Sequence, residues 1–438
     1  MSSPDSVLPV RNQDRFVELL ERLVAVGRDL QNAPDRGLVP REELAAEVVL
    51  DWLGPHLERG VIRAERLAGP GFERRPSLVL TLQGSGPGTV GFVGAHFDVV
   101  PADAEAEGWT HDPFSLHRTS DDVLYGRGVS DALGNLAVAV ELLRLLAERG
   151  EPPRRTVAVV LIANEESVRV PGVGLDYVVE AGALAPLRQG PIYWLDSTDF
   201  GPTVGTGGVA RWDLRVTGVT GHSGMAHNCV NALELAMAAT RALGEWFVEA
   251  FPPHPEERRY GFPSPSTLKP TLIDVPNRKF TMIPGRARVT GDVRLTPFYE
   301  MRPALAALEQ FVADLDRRLE SGDPPAGFPR TRVADGRRGT VAIDVADGFL
   351  EGMACDLDSP GLAALQRAIS SVRGERDSGR YSMTASLPLV RELQRDGFDV
   401  QITGFGIGAC MHAPDEHGRL QDFMDGLAVL WHVVEHLE

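Results

Sequence analysis

The amino-acid sequence predicts an α/β fold: a mixed, mostly parallel central sheet flanked by helices, with a smaller α+β domain inserted into it. Helical and strand patterns alternate along the first part of the chain, which is the order that builds a parallel sheet between helices. The run Thr156–Ile162 is apolar and rich in β-branched residues, as expected of a strand buried on both faces. Near Gly205 the order of elements changes, and we therefore expect a second domain there.

Local periodicity assigns the elements of the first part. Apolar residues recur at helical spacing in residues 14–25, 42–57 and 132–149, which we predict to be helices. Residues 77–82 alternate as a strand does, and residues 90–93 and 192–195 are short apolar runs typical of buried strands. The run 90–93 leads into His96, Asp98 and a proline, which cannot continue a central strand.

The glycine-rich segment 204–208 (VGTGG) predicts a hinge. The elements expected after it are strands at 210–216, 286–295 and 340–345, helices at 231–250 and 302–319, and a proline-rich stretch at 252–270. Helix–strand alternation then returns in residues 362–372, 387–395, 399–403 and 420–437. We therefore predict a discontinuous larger domain made of residues 1–206 and 351–438, interrupted by an inserted domain at residues 207–350.

The composition argues against several classes of protein. A chain of 438 residues with 43% hydrophobic and 24% charged residues is long enough for two globular domains. Its net charge of −17 argues against a nucleic-acid or anionic-membrane partner. Its three widely spaced cysteines, Cys229, Cys355 and Cys410, predict no disulfide framework. Because the sequence lacks an apolar signal region and a run long enough for a membrane span, we expect a cytoplasmic protein.

Side chains that can bind metal follow the predicted strands or lie in the loops after them. They are His96 with Asp98, Asp131, the pair Glu165 and Glu166, Asp196, and His412. Because the carboxyl ends of parallel strands open onto one crevice, we expect these side chains to lie together. Two imidazoles and several carboxylates suit one or two divalent ions, of which zinc fits best. The aspartate of the first pair is placed to orient its histidine, and one of two adjacent glutamates can bind metal while the other acts as general base.

Each of these residues has a simpler explanation when it is taken alone. The first pair would be a core histidine beside a loop-capping aspartate, and Asp131 would cap the following helix. The two adjacent glutamates would form a solvated strand end, and Asp196 would be a turn residue. Their combined placement at successive strand ends favours a metal site for hydrolysis over these separate explanations.

Five motifs, in chain order, resemble those of the co-catalytic di-zinc aminoacylase and carboxypeptidase family of metallopeptidases. They are GAHFDVVP (94–101), WTHDPF (109–114), YGRGVSD (125–131), NEE (164–166) and GHSG (221–224). The family includes acetylornithine deacetylases, succinyl-diaminopimelate desuccinylases and carnosine-type dipeptidases. Further stretches are most similar to the plant-type acetylornithine deacetylase branch, namely STDFGPTVGTGG (197–208), GDVRLTPFY (291–299) and CDLDSPG (355–361).

The resemblance implies a fold and a set of metal ligands. The implied fold is a zinc-peptidase-like catalytic domain with an inserted ferredoxin-like lid and dimerisation domain, and hence a homodimer. Two zinc ions per subunit are implied, with cobalt as an alternative metal. The implied ligands are Asp131 as the bridge, His96 and Asp196 for one ion, and Glu166 and His412 for the other.

The resemblance also implies catalytic roles. Asp98 would orient the neighbouring histidine ligand, and Glu165 would take a proton from the attacking water and pass it to the leaving amine. His222, on the lid, would reach the site of a partner subunit and help to stabilise the oxyanion. Arg294 would contact a substrate carboxylate. The peptide bond after Asp131 is expected to be cis.

Two places depart from the family pattern, and both would face the substrate. Thr281 stands where the family commonly has an asparagine before Ile-Pro, and Asn277 would replace that asparagine only through a shifted loop. Thr384 stands in a segment where glycines are common. We count Thr281, Asn277 and Thr384 with Arg294 as candidate substrate-binding residues, because these departures bear on substrate choice and leave the metal ligands intact.

The sequence therefore predicts a di-zinc amidohydrolase that removes an acyl group from an N-acyl amino acid. The leading substrate is N-acetyl-L-ornithine, which would yield ornithine and acetate in arginine biosynthesis. One alternative is a dipeptidase or carboxypeptidase-like hydrolase, and another is a deacylase recruited to a specialised biosynthetic pathway. An alternative of a different class is an inactive, metal-free binding protein with the same fold.

Overall fold

The computed structural model describes residues 12–167, 169–276, 279–374, 380–388 and 390–437, so Asn277 lies outside the described residues. The chain forms two compact units. Unit 1 is made of the described parts of Met1–Val204, Cys355–Tyr381 and Glu392–Glu438. Unit 2 is made of the described parts of Gly205–Ala354 and Ser382–Arg391.

The strands are β1 (Ile62–Leu67), β2 (Ser77–Leu82), β3 (Thr89–His96), β4 (His117–Arg118), β5 (Val123–Tyr125), β6 (Thr156–Ile162), β7 (Pro191–Trp194), β8 (Thr203–Gly205), β9 (Gly208–Thr217), β10 (Gly221–His222), β11 (Thr267–Asp274), β12 (Met282–Ile283), β13 (Arg286–Leu295), β14 (Thr340–Leu350), β15 (Tyr381–Ser382), β16 (Asp399–Ile402) and β17 (His417–Arg419).

The helices are α1 (Gln13–Ala25), α2 (Glu43–Trp52), α3 (Gly54–Glu58), α4 (Ala104–Glu107), α5 (Leu133–Glu148), α6 (Leu175–Glu180), α7 (Ala232–Ala250), α8 (Pro255–Arg259), α9 (Met301–Ser321), α10 (Pro360–Arg373), α11 (Val390–Arg395) and α12 (Leu420–His436). No helix of the described residues is long and apolar enough to cross a membrane.

The central sheet of unit 1 has the strand order β1-β2-β6-β3-β7-β16-β8-β15. The four strands in the middle, β6, β3, β7 and β16, run parallel, whereas β1, β2 and β8 pair antiparallel towards the edges. The predicted mixed sheet with a parallel core is thereby confirmed. Its four central strands present their carboxyl ends at one edge, which is where ligand sites form in such sheets.

Helix α5 is the main helical contact of the sheet in unit 1. Residues 133–146 are all buried, and the helix packs against β3, α1 and α12. Since this helix is buried on every side and mostly apolar, it is stable only when it is enclosed by other elements. It begins two residues after Asp131 and therefore fixes one end of the segment that carries that carboxylate.

Unit 2 contains a four-stranded antiparallel sheet of order β11-β13-β9-β14. The chain order β9-α7-β11-β13-α9-β14 gives two strand–helix–strand halves, which is the ferredoxin-like arrangement that the resemblance implied. Strand β9 alternates buried and less buried residues, and its buried face packs on α7 and α9.

Strands β1 and β11, both at sheet edges, are among those that escaped the sequence prediction. Strand β1 is exposed at most positions, and β11 is exposed at six of its eight positions. Neither therefore shows the alternation of apolar and polar residues that identifies a half-buried strand. The helix predicted at 42–57 is in fact two helices, because Pro55 has no backbone N–H to donate and lies in the first turn of the new helix α3.

The segment Ser382–Arg391 belongs to unit 2, although the sequence placed it in the larger domain with the rest of 351–438. Backbone hydrogen bonds explain the difference: Met383 N–H donates to the carbonyl of Gly205, and Gly207 N–H donates to the carbonyl of Ala385. Thr384 therefore lies in unit 2.

Candidate active site

The predicted metal-binding side chains lie at the carboxyl edge of the parallel strands in unit 1. His96 is the last residue of β3, Glu166 follows β6, and Asp196 follows β7. His412 lies in the loop after β16, and Asp131 lies just before α5. The alternative in which Asp131 caps α5 is wrong, because Ala132 takes the cap position without a capping side-chain bond.

Gly94 allows β3 to deliver His96 to this edge. The pairing of β3 with β6 shifts register between Val93 and His96, and Gly94 has a positive φ of 98° within that bulge. A Cβ atom on Gly94 would lie 2.5 Å from the Trp194 ring. Glycine is required there both for the backbone conformation and for the close approach to Trp194.

Asp131 lies between the two histidines and faces each of them with a different carboxylate oxygen. Its Oδ1 is 3.1 Å from Nε2 of His96, and its Oδ2 is 3.0 Å from Nε2 of His412. Asp196 Oδ1 lies 3.8 Å from Nε2 of His96, and Glu166 Oε2 lies 3.2 Å from Nε2 of His412. The donors thus form two triads that share one carboxylate.

This donor set fits two divalent cations. Within each triad, the ligand atoms lie within 4.8 Å of one another. Imidazole nitrogen and carboxylate oxygen are ligands that zinc accepts. Oε1 of Glu166 is buried and has no hydrogen-bond partner among the described residues, as expected of an oxygen that faces an ion.

The tautomer of His96 follows from its partner. Nδ1 of His96 lies 2.8 Å from the backbone carbonyl of Asp98, which can only accept a hydrogen bond. The proton therefore sits on Nδ1, and Nε2 is left free to bind a metal ion. The contact expected to orient His96 is thus made by the main chain of Asp98, since Oδ1 of its carboxylate lies 3.6 Å from Nδ1 of His96.

The Asp98 carboxylate instead holds the loop after β6. Its Oδ1 accepts a hydrogen bond from the backbone N–H of Glu165 at 3.0 Å, and its Oδ2 accepts one from Glu166 N–H at 3.0 Å. Asn32 Nδ2 donates to Oδ2 at 2.8 Å. Asp98 therefore fixes the backbone of both the candidate base and a candidate ligand.

Burial and neighbouring charges shift the pKa of several candidate ligands. Burial, followed by the charge of Asp131, raises the pKa of Glu166 to about 7. Burial also raises the pKa of Asp196 to about 6. Hydrogen bonds with Asp131 and Glu166 raise the pKa of His412 to about 10. Carboxylates that are this difficult to ionise together are typical of a site that accepts cations.

Glu165, like Asp98, is a carboxylate of this site that lies outside both triads. Burial raises its pKa well above the usual range, and the charge of Asp196 raises it further. A buried carboxyl group that binds a proton this readily, next to candidate metal ligands, has the properties required of a general base.

Sequence reasoning missed a second buried carboxylate, Glu416, which is fully enclosed. Its Oε1 accepts hydrogen bonds from the backbone N–H of Ser130 at 2.9 Å and of Asp131 at 3.1 Å. Its Oε2 accepts one from Nη1 of Arg127 at 2.6 Å. Its position four residues after His412 was the only signal in the sequence.

Comparison with known proteins identifies the family. The sequence pattern of the peptidase family M20/M25/M40 matches residues 92–436. This chain belongs to the M20/M25/M40 peptidase family. An acetylornithine deacetylase from Arabidopsis thaliana is 40% identical over 98% of this chain and 96% of its own length. One from Dictyostelium discoideum is 36% identical over 98% and 97%.

Solved structures of the M20 family have the same fold. Human carnosine dipeptidase 1 superimposes with a TM-score of 0.66 at 19% identity, over 97% of this chain and 96% of that one. A metallo-carboxypeptidase from Sulfolobus solfataricus gives a TM-score of 0.67 at 17% identity, over 96% and 99%. The predicted family and fold class are confirmed, and the chain is a hydrolase of this family.

Within the described part of this M20 protein, the predicted substrate-contacting residues lie in unit 2. His222 is exposed in β10, and its neighbour Ser223 donates a backbone hydrogen bond to the carbonyl of Thr281 at 2.9 Å. Arg294 lies near the end of β13, where Nε donates to Asp292 Oδ2 at 3.0 Å. The peptide bond between Asp131 and Ala132, in unit 1, is cis, as expected.

Proposed function

We propose that this protein removes the acyl group from N-acyl-L-amino acids, with N-acetyl-L-ornithine as its leading substrate and ornithine and acetate as products. The observation that carries the proposal is similarity to acetylornithine deacetylases over 98% of the chain. The complete donor set around Asp131, with Glu165 beside it, supports the same conclusion. Release of ornithine would place the reaction in arginine biosynthesis, in the cytoplasm.

We propose that two zinc ions bind at the paired triads, with cobalt as an alternative. His96, Asp131 and Asp196 would hold one ion, and Asp131, Glu166 and His412 the other. When bound, such ions supply Lewis acidity that polarises the amide carbonyl and acidifies water.

Glu165 moves the protons of the reaction. It takes one from the attacking water and delivers it to the nitrogen of the leaving amino acid, so that the amine departs neutral. The reaction requires Glu165 to stay within hydrogen-bond reach of both positions. The hydrogen bond from Glu165 N–H to Asp98 fixes its backbone for this purpose.

Unit 2 supplies substrate recognition and the contact with a second subunit. Arg294 binds the substrate carboxylate, and Thr281 and Thr384 bear on substrate choice, with Asn277 as a further candidate from the sequence. His222 stabilises the oxyanion in the site of a partner subunit, which makes the protein a homodimer. Its exposed position in β10 supports this role.

The surface of unit 2 also supports a homodimer. Strand β11 is an edge of its sheet, and Leu272 and Ile273 on it are 62% and 48% exposed. On α7, Met237 and Val248 are 61% and 65% exposed. An open strand edge flanked by apolar side chains can be covered by the same elements of a second copy.

A substrate panel tests the proposal. Purified protein loaded with zinc would be assayed with N-acetyl-L-ornithine, N-acetyl-L-citrulline and a set of dipeptides. We expect the highest kcat/KM with N-acetyl-L-ornithine. Faster turnover of the dipeptides would instead establish the dipeptidase alternative, which the departures at Thr281 and Thr384 leave open.

The matched control is Glu165→Gln, which keeps the size of the side chain and removes the base. We expect kcat to fall about 100- to 10,000-fold, because general-base catalysis is lost. Atomic absorption should find the zinc content unchanged, because Glu165 is not a candidate ligand. A fully active Glu165→Gln variant would refute the assignment of the base. A wild-type protein that neither binds zinc nor turns over any substrate would indicate the inactive binding protein.

A further inference from the structure

Glu416 has no place among the candidate ligands or in the proton transfers, yet its side chain is fully enclosed. Its carboxylate accepts hydrogen bonds from two consecutive backbone amides, Ser130 at 2.9 Å and Asp131 at 3.1 Å. Both bonds end on Oε1. The backbone of Asp131, whose carboxylate is shared by both triads, is therefore fixed by a side chain that lies far away in the sequence.

The segment around Glu416 also carries the ligand His412. The backbone carbonyl of Glu416 accepts a hydrogen bond from Gly126 N–H at 3.0 Å, and Ser130 Oγ donates to the carbonyl of His417 at 2.7 Å. His412 itself has a positive φ of 60°. Glu416 therefore links the two segments that bring Asp131 and His412 into the same triad.

Arg127 holds the other side of Glu416. Its Nη1 lies 2.6 Å from Oε2, and the residue is 1% exposed. The guanidinium also lies over the Trp109 ring, with 4.9 Å between Cζ and the ring centroid. A charged hydrogen bond between two enclosed groups gives the carboxylate one orientation, with Oε1 directed at the two amides.

We propose that Glu416, oriented by Arg127, is a positioning residue that sets the bridging carboxylate of Asp131 for two metal ions. The inference rests on the proposed function in so far as the ions are those of the hydrolase. A carboxylate that must serve two ions at once tolerates little displacement, and groups behind a ligand commonly determine how tightly the metal binds.

The test is the affinity for zinc of full-length Glu416→Gln, measured by titration with chelator-buffered Zn²⁺. Glutamine keeps the shape of the side chain, but its NH₂ group would face the donor Nη1 of Arg127, so the amide would turn away from its position. We expect zinc to bind about 10- to 100-fold more weakly. Binding within about twofold of wild type would overturn the proposal.

Glu141→Gln is the matched control. Glu141 is 2% exposed and pairs with the buried Arg144 at 2.8 Å, but it touches no candidate ligand in the contacts described. We expect it to lower the urea midpoint of the metal-free protein while zinc affinity stays within about twofold of wild type. Equal losses of zinc affinity in Glu141→Gln and Glu416→Gln would show a general effect of stability and overturn the proposal.

The double variant Glu416→Gln/Arg127→Met guards against a single variant that does not fold. It removes the facing donor and leaves no unpaired buried charge, so the glutamine oxygen can accept both amides again. If Glu416→Gln folds, we expect the double variant to bind zinc at least about fivefold more tightly than Glu416→Gln does. If Glu416→Gln does not fold, we expect the zinc affinity of the double variant to lie within about tenfold of wild type. No recovery, or affinity below that limit, would overturn the proposal.

Zinc affinity is measured without substrate. A wild-type protein that binds two ions but cleaves no N-acyl amino acid would therefore refute the proposed substrate and leave the inference about Glu416 standing.

Discussion

Two buried carboxylates, Asp98 and Glu416, support the candidate metal site in the same way but with different partners. Each is fully enclosed and accepts hydrogen bonds from two consecutive backbone amides. Glu416 is paired directly with the cation of Arg127. Asp98 is contacted by the neutral amide of Asn32, and the nearest cation of that hydrogen-bond network lies two hydrogen bonds beyond Asn32.

That more distant cation is Arg75. It donates to Asn164 Oδ1 at 3.0 Å, and Asn164 Oδ1 in turn accepts from Asn32 at 3.1 Å. Arg75 is itself neutralised by Glu42 at 2.7 Å. On the Asp98 side, therefore, charge balance and positioning are separate tasks, whereas on the Glu416 side one ion pair performs both.

The difference predicts different failures. Asp98 holds the backbone of Glu165, so its loss should affect the proton transfer most. Glu416 holds the backbone of Asp131, so its loss should affect metal binding most.

The largest effect is expected from Asp98→Ala at saturating zinc. The amides of Glu165 and Glu166 lose their acceptor, the candidate base is displaced, and kcat should fall about 100- to 10,000-fold. Steady-state assays with N-acetyl-L-ornithine measure this. Asp98→Asn keeps one oxygen as an acceptor and should lose less. If Asp98→Ala instead weakens zinc more than Glu416→Gln does and spares kcat, the contrast between the two carboxylates is wrong.

The next effect concerns stability. Arg75→Met leaves Glu42 as an unpaired buried carboxylate and should cost about 3–5 kcal/mol in the free energy of unfolding. Urea titration of the metal-free protein measures the loss. The double variant Arg75→Met/Glu42→Gln should recover most of it, because no buried charge remains. A loss in the double variant as large as in Arg75→Met would show that the hydrogen bond to Asn164, rather than the charge, is what Arg75 contributes.

Glu42 also predicts a pH dependence. Burial raises its pKa to about 7, against the opposing hydrogen bond from Arg75. The folded state binds the Glu42 proton more tightly than the unfolded state does, so protonation of Glu42 stabilises the fold. This contribution to the free energy of unfolding is fully present below about pH 4.5 and is lost as the pH rises through about 7. The contribution is at most about 3 kcal/mol. The free energy of unfolding of the wild type, relative to that of Glu42→Gln, should therefore be lower at pH 8 than at pH 4.5. Urea titrations at the two pH values measure this difference. A difference that is independent of pH would contradict the assignment.

The contrast also explains how much the sequence could predict. Four candidate ligands, His96, Glu166, Asp196 and His412, were identified because each lies at the end of a strand of the central sheet or in the loop that follows it, and parallel strands convert that position into proximity. Asp131 instead follows β5, which pairs antiparallel with β4 and β17. Gly94 belongs to the motif GAHFDVVP, but its close approach to Trp194 could be recognised only from the register of β3 in the structure.

Glu416 and Arg127 could not be identified in this way. They are 289 positions apart, and no period in the sequence links them. The same limit applies to β1 and β11, whose exposed positions remove the alternation by which strands are recognised. Sequence pattern reports burial along one element, whereas long-range polar pairs depend on the packing of several elements.

The smallest effect is expected in unit 2, and it separates substrate choice from metal binding. Thr281→Asn introduces the side chain that the family commonly has. The bond between Ser223 N–H and Thr281 uses the backbone carbonyl and survives the change. We expect KM for N-acetyl-L-ornithine to change by less than about tenfold, because a single exposed polar contact contributes about 0.5–1.5 kcal/mol. Zinc content should stay the same, and Thr281→Ser, which keeps the hydroxyl group, should resemble the wild type. A loss of zinc in Thr281→Asn would show that residues of unit 2 help to set the metal site, and that Asp98 and Glu416 do not control it alone.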